Sequence, residues 1–178
     1  MALQKLHRDI REILLFTGAV DPLGERGEVC IRGPQVMQGY WENPDETAKA
    51  MQDGAFRTGD VGYMDEDGYI FLVDRLKDII IAGGYKIYPR IVEEAIYEHP
   101  AVAEVTVIGV EDKYRGQAPK AFIRLKEDES LTEAELKVFL KDKLSAIERP
   151  DIYEFRDELP KTLIGKLSKK ELKAEEEG

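Results

Sequence analysis

Apolar and polar positions alternate with a period of two in "GEVCIRG" (27–33), as expected of a half-buried strand. The preceding "GAVDPLGERGE" carries Gly, Pro and Asp turn signals, and residues 1–20 show a loosely helical pattern. "ENPDETAKAM" places Asn43 as an N-cap, Pro44 at the first helical position and Glu46 three residues after the cap, predicting a short helix that ends near Asp53-Gly54. "DVGYMDEDGYIFLVDR" is two apolar stretches around Asp65-Glu66-Asp67-Gly68, a hairpin signature in which Gly68 can take positive φ.

After "DRLKD" the rhythm changes. "IIIAGGYKIYP" reads as strand, Gly pair, strand, and "PRIVEEAIYEHP" as a helix with Ile91, Val92, Ala95 and Ile96 on one face and its end near His99-Pro100. "AEVTVIGV" and "KAFIRLK" read as strands. "LTEAELKVFLKDKL" reads as a helix with Thr132 and Glu135 in capping-box spacing and Leu136, Phe139, Leu140 and Leu144 as its core stripe. "DIYEFRD" is a further extended piece. Few elements joined by short connections predict a small α+β domain, one sheet with flanking helices, beginning near Lys77.

Composition narrows the classes. With 178 residues, 43% hydrophobic, 35% charged and a formal net charge of −10, the chain reads as globular and lacks the basic stripe of a general nucleic-acid binder, so no nucleic-acid partner is expected. The single cysteine, Cys30, permits no disulfide within the chain and no Cys-based metal site, and two scattered histidines, His7 and His99, make no cluster. The longest apolar runs, "ILLF" and "IIIA", are too short to span a bilayer, and the N-terminus lacks a signal-peptide layout, giving the expectation of a cytoplasmic protein without a transmembrane segment.

Four stretches carry candidate chemistry. In "RTGD" (57–60), Asp60 can accept two hydrogen bonds from a vicinal diol such as a ribose, or simply cap its own turn. "DRLKD" (74–78) is either a solvated linker or a hinge in which polar residues absorb a backbone change while Arg75 holds a ligand. In "AGGYKIYP", Gly83 and Gly84 permit a close backbone approach to a ligand or a tight hairpin; no P-loop and no G-x-G-x-x-G motif occurs. "PKTLIGK" (160–166) projects Lys166 from a segment bounded by Pro and Gly, where a fixed ammonium could stabilise charge developing on a phosphate, although tail lysines usually face solvent.

In this order, "GYWENPDETAKAM", "FRTGDVGYMDEDGYIFLVDRLKDIIIAGGYKIYP", "VEEAIYEHPAVAEVTVIGV" and "ELPKTLIGKLSKKEL" resemble the C-terminal part of the adenylate-forming acyl-CoA synthetase superfamily, over about Gly24 to Leu172. The "DRLKDIIIAGGYKIYP" segment is similar to long-chain fatty-acyl and aryl-CoA ligases. The resemblance implies an AMP-forming acid–CoA ligase that activates a fatty or other carboxylic acid with ATP as acyl-AMP and then transfers the acyl group to CoA. It assigns nucleotide binding to Asp60 and Arg75, the hinge to Lys77, adenylation to Lys166 and the CoA channel to Gly83 and Gly84.

It also implies the domain plan. Residues 1–23 are unassigned, residues 24–76 correspond to the end of the large domain as an incomplete β-rich remnant, and residues 77–178 correspond to the mobile C-terminal lid, with a three-stranded sheet and flanking helices. The family's phosphate loop, its aromatic-Gly-x-Thr-Glu stretch, its acyl pocket and the Mg2+ site all lie upstream of the matched region. The expectation is therefore a truncated ligase that is inactive alone and could self-associate through its exposed β-remnant. Ile91 departs from the Glu usual in the family's "P-x-E" pattern. The alternative reading is a stand-alone, non-catalytic binding or regulatory module of the same fold, and the acceptor, CoA or carrier protein, stays open.

Overall fold

The computed structural model describes residues 12–16 and 23–177, which form two compact units, Met1–Lys77 and Asp78–Gly178.

The first unit is an antiparallel sheet. Strand β1 (Glu12–Phe16) pairs with β2 (Gly27–Arg32), which pairs with the long β4 (Ala55–Met64). The helix α1 (Pro44–Ala50) leads directly into β3 (Met51–Gln52), which pairs with the start of β4, while β5 (Ile70–Arg75) pairs with its end. Asn43 caps α1, its Oδ1 accepting from the Glu46 amide at 3.2 Å. The helix stops at Ala50 rather than near Gly54, because Met51 and Gln52 are drawn into a hairpin whose turn holds Asp53 and Gly54 at φ +50° and +75°. The β4–β5 hairpin forms as its sequence predicts: the Asp65 carboxylate accepts from the amides of Asp67 (3.1 Å) and Tyr69 (2.8 Å), and Gly68 has φ +79°.

One N-terminal expectation is corrected. Within the stretch that reads as loosely helical, residues 12–16 are a strand, since a four-residue apolar run fits either state and the free edge of β2 decides it. The remainder of residues 1–22 lies outside the described residues.

The second unit is a sheet covered on both faces. Strands β6 (Ile80–Ala82) and β7 (Tyr85–Ile87) form a short hairpin; β6 pairs with β9 (Gly116–Leu125), and β9 pairs antiparallel with β8 (Val102–Asp112). The last strand, β10 (Ile152–Phe155), lies parallel to β9, which requires a crossover, and α3 (Glu133–Leu140) supplies it. The period-two alternation of β8 and β9 sorts the core. Val105, Val107, Ala121 and Ile123 face α2 (Pro89–Tyr97) and α3 through Val92, Ile96, Leu136 and Leu140. Ile108, Val110 and Phe122 point the other way and meet Leu159 and Leu172, the latter from α4 (Lys169–Glu177).

The α+β class therefore holds, with five strands in the sheet of the second unit where three were expected; β6, β7 and β10, each three or four residues long, were legible as extended pieces but not as members of one sheet with β8 and β9. The capping box on α3 is complete: the Glu135 amide donates to Thr132 Oγ1 (3.3 Å) and Glu135 Oε2 accepts from the Thr132 amide (2.8 Å). Ile91 packs half-buried against the core, an apolar use of a position where the related pattern has Glu. No helix among the described residues is long and apolar enough to cross a membrane.

Candidate functional site

In the first unit the residues of "RTGD" sit where the β2–β4 ladder breaks. The register passes from Glu28 opposite Val61 to Cys30 opposite Arg57, so Thr58, Gly59 and Asp60 bulge out against a single residue, Val29. Gly59 takes φ +71°, a conformation that favours glycine; a Cβ there would meet nothing within 4 Å, so the demand is conformational rather than steric.

The bulge brings two predicted residues together. Asp60 faces Arg75 across β4 and β5, and Arg75 Nε lies 3.0 Å from Asp60 Oδ1, with both side chains partly open to solvent. A carboxylate held this way keeps its second oxygen for a donor from outside, and the guanidinium adds positive charge beside it.

Two residues that sequence reasoning missed hold the bulge. Thr58 Oγ1 donates to the Val29 carbonyl (2.7 Å) and accepts from the Asp60 amide (3.0 Å). The buried Glu28 carboxylate accepts from Arg57 Nε (2.9 Å) and Nη2 (2.7 Å) on one oxygen and from the Gly59 amide (3.1 Å) on the other. This hydrogen-bonded pair raises the Arg57 pKa above its ordinary value. The partners are 29 residues apart in sequence, and the only local hint was a glutamate in an otherwise apolar alternation.

Lys77 is exposed in the 3-10 turn Leu76–Asp78, which ends the first unit and begins the second. In the second unit, Gly83 and Gly84 form the β6–β7 turn with φ +58° and +85°. The Gly83 amide donates to the Arg115 carbonyl (2.8 Å) at the β8–β9 turn, which fixes the loop while both glycines stay exposed.

Lys166 is exposed on the loop between Leu159 and α4. That loop is a tight turn: the Thr162 amide donates to the Lys166 carbonyl (2.7 Å), the Lys166 amide to Thr162 Oγ1 (3.2 Å), and Gly165 takes φ +77°. Below it, Lys161 bridges Leu167 and the Ser168 amide donates to the Pro160 carbonyl (2.8 Å).

The neighbouring lysines are held by carboxylates. Lys161 lies 2.6 Å from Glu104, Lys169 2.8 Å from Glu93 and Lys173 3.0 Å from Asp78. The Arg124 and Lys161 hydrogen bonds draw the Glu104 pKa below the usual carboxylate range. Among the described residues Lys166 and Lys170 have no such partner, and Lys170 is on a helix rather than a loop tip. The tail lysines thus separate into three paired cations, an exposed helical one, Lys170, and one presented on a loop, Lys166. Leu163 and Ile164, at 108% and 78% exposure, stand beside Lys166 on the same loop.

Among the described residues no group of three or more His, Cys, Asp or Glu is arranged to hold a metal ion.

Residues 91–166 match the AMP-binding enzyme C-terminal domain. The chain is 52% identical over 160 residues to a long-chain-fatty-acid–CoA ligase of Bacillus subtilis, covering 90% of this chain and 29% of that protein. It is 46% identical over 149 residues to a 2-succinylbenzoate–CoA ligase of Geobacillus kaustophilus, covering 84% and 30%. Among solved structures, the o-succinylbenzoate CoA synthetase of Bacillus subtilis with its acyl-adenylate intermediate matches with a TM-score of 0.84 at 37% identity, over 91% of this chain and 33% of that one. The same synthetase with ATP and a magnesium ion gives 0.82 at 37% identity, over 91% and 34%. The chain therefore spans less than a third of the length of these curated relatives.

Proposed function

We propose that the chain belongs to the AMP-forming acyl-CoA ligase family, whose C-terminal domain its residues 91–166 match, and that it is the nucleotide-facing end and mobile lid of an enzyme that makes fatty acyl-CoA. Residues 24–76 are the end of the large domain and residues 77–178 the lid.

The chemistry runs in two steps. A carboxylate oxygen attacks the α-phosphorus of ATP, the bond to pyrophosphate breaks, and acyl-AMP forms. The CoA thiolate then attacks the acyl carbonyl and AMP leaves. In the first step Asp60 accepts from the ribose hydroxyls, Arg75 holds the same nucleotide, and the Lys166 ammonium stabilises negative charge developing between the carboxylate and the phosphate. Rotation about Lys77 then withdraws Lys166 and brings Gly83 and Gly84 up to the pantetheine, where a side chain would obstruct the thiol. Mg2+ and the triphosphate would be held by residues outside the portion matched here.

One observation carries the reading: among the described residues Lys166 is a cation without an ion-pair partner on a loop tip fixed from both sides, while Lys161, Lys169 and Lys173 are paired with carboxylates. Fatty acids are the favoured substrate class because of the 52% identity to a long-chain ligase. The test is a fusion of this chain to the upstream portion of the Bacillus subtilis long-chain ligase. Lys166→Ala should slow adenylate formation about 100-fold or more, as loss of one charge-stabilising donor does, and leave acyl transfer from supplied acyl-AMP nearly intact. Equal effects on the two half reactions, or none, would overturn the assignment and favour a non-catalytic module.

A further inference from the structure

The structure assigns to Glu28 the role of positioning residue for the nucleotide carboxylate Asp60, an inference that rests on the reading of Asp60 as the ribose contact. Glu28 does not touch the solvent-facing site. Its side chain is 6% exposed, yet it carries an ionised partner and a backbone amide at once. A carboxylate is retained in such a place only where its oxygens are satisfied, and here each one is matched to the bulge.

The geometry gives the reason. Across the bulge β4 has three residues, Thr58, Gly59 and Asp60, against Val29 alone, so the ladder cannot supply bonds to their amides. The Gly59 amide goes to Glu28 Oε1 and the Asp60 amide to Thr58 Oγ1, whose hydroxyl is itself tied to Val29. Arg57, clamped on Glu28 Oε2 through two nitrogens, fixes the residue that enters the bulge. Gly59, which has no side chain to pack and sits at φ +71°, would otherwise be the loosest link immediately before Asp60. Glu28 therefore sets where the Asp60 carboxylate stands relative to Arg75.

Substitutions separate the two functions of the carboxylate. Glu28→Gln keeps an acceptor for the Gly59 amide and loses the charge on Arg57; Glu28→Ala loses both. Thr58→Val removes the second bulge acceptor without touching Glu28. In the full 178-residue chain, amide exchange followed by NMR should rise at Gly59 and Asp60 in Glu28→Ala, with Glu28→Gln intermediate and β5 unchanged. In the fusion described above, KM for ATP should rise about 10- to 100-fold in Glu28→Ala, as misplacement of a binding group does. It should rise less in Glu28→Gln, while KM for the fatty acid is unchanged.

Asp60→Ala is the companion measurement. If Asp60→Ala raises KM for ATP and neither Glu28 variant nor Thr58→Val does, the positioning role is wrong. If Asp60→Ala leaves KM for ATP unchanged, the nucleotide reading on which the inference rests is wrong. A fall in kcat with every KM constant would also overturn it, since that reports lost folded enzyme rather than a displaced contact.

Discussion

Leu172→Ala probes the packing that fixes the end of the Lys166 loop. Leu172 is the one fully buried side chain on α4 among the described residues and packs with Ile108, Val110, Phe122 and Leu159 on the second face of the sheet. The substitution removes three carbons, worth about 0.8 kcal/mol each or roughly 2.4 kcal/mol in transfer free energy. Residual cavity raises this to about 3–4 kcal/mol. The other attachments of α4 include ion pairs, Lys169 with Glu93, Lys173 with Asp78, Arg156 with Glu175 and the nearly buried Lys120 with Glu176, and an exposed pair of this kind contributes less than the leucine. Loss of Leu172 should thus release the helix locally before the sheet opens. Hydrogen exchange resolved by peptide should show α4 amides exchanging roughly 100- to 1,000-fold faster, since about 1.4 kcal/mol is a factor of ten, with β8 and β9 changed far less. A change under about fivefold in α4, or an equal change in β9, would refute the view that this leucine is what seats the helix.

Other outcomes follow from the same geometry. Gly165→Ala should cost about 1–2 kcal/mol of turn stability from φ alone, because the new Cβ meets nothing within 4 Å; faster exchange of the Thr162 and Lys166 amides checks it. Hydrogen bonds from Arg124 and Lys161 to Glu104, and from Lys120 and Arg156 to Glu154, lower both carboxyl pKa values. Their stabilisation is present above the unfolded pKa of about 4.3 and is lost as pH falls through the lower folded values, so urea midpoints of the second unit should drop in that acid window. Glu104→Gln should flatten that slope. Burial, then the Glu28 charge, raises the Cys30 thiol, so a disulfide reagent at neutral pH should modify it only as fast as the first unit opens.

How much was legible in the sequence depended on whether a signal was local. The Asn43 cap, the Thr132–Glu135 box and the Asp65 hairpin were readable because donor and acceptor lie within four residues of one another. The α2 stripe was readable because Val92, Ala95 and Ile96 share one face and are all buried. Helix α4 went unread, since Leu172 is its single buried residue and nine mostly charged positions give no periodicity. Strand β3 was hidden in the expected tail of α1 because two residues cannot display an alternation. The positions of Asp60, Arg75, Lys166 and the glycine pair came from motif resemblance, whereas Glu28 and Thr58 act through contacts 29 residues apart that no local pattern encodes.

The ion pair between Lys173 and Asp78 joins residues 95 apart, at opposite ends of the second unit. The last helix is in that sense bolted to the residue that opens the second unit, so trimming or tagging it would also loosen the start of that unit. A chain shortened before Lys173 would keep both glycines and Lys166 in sequence and still lose the contact that steadies Asp78.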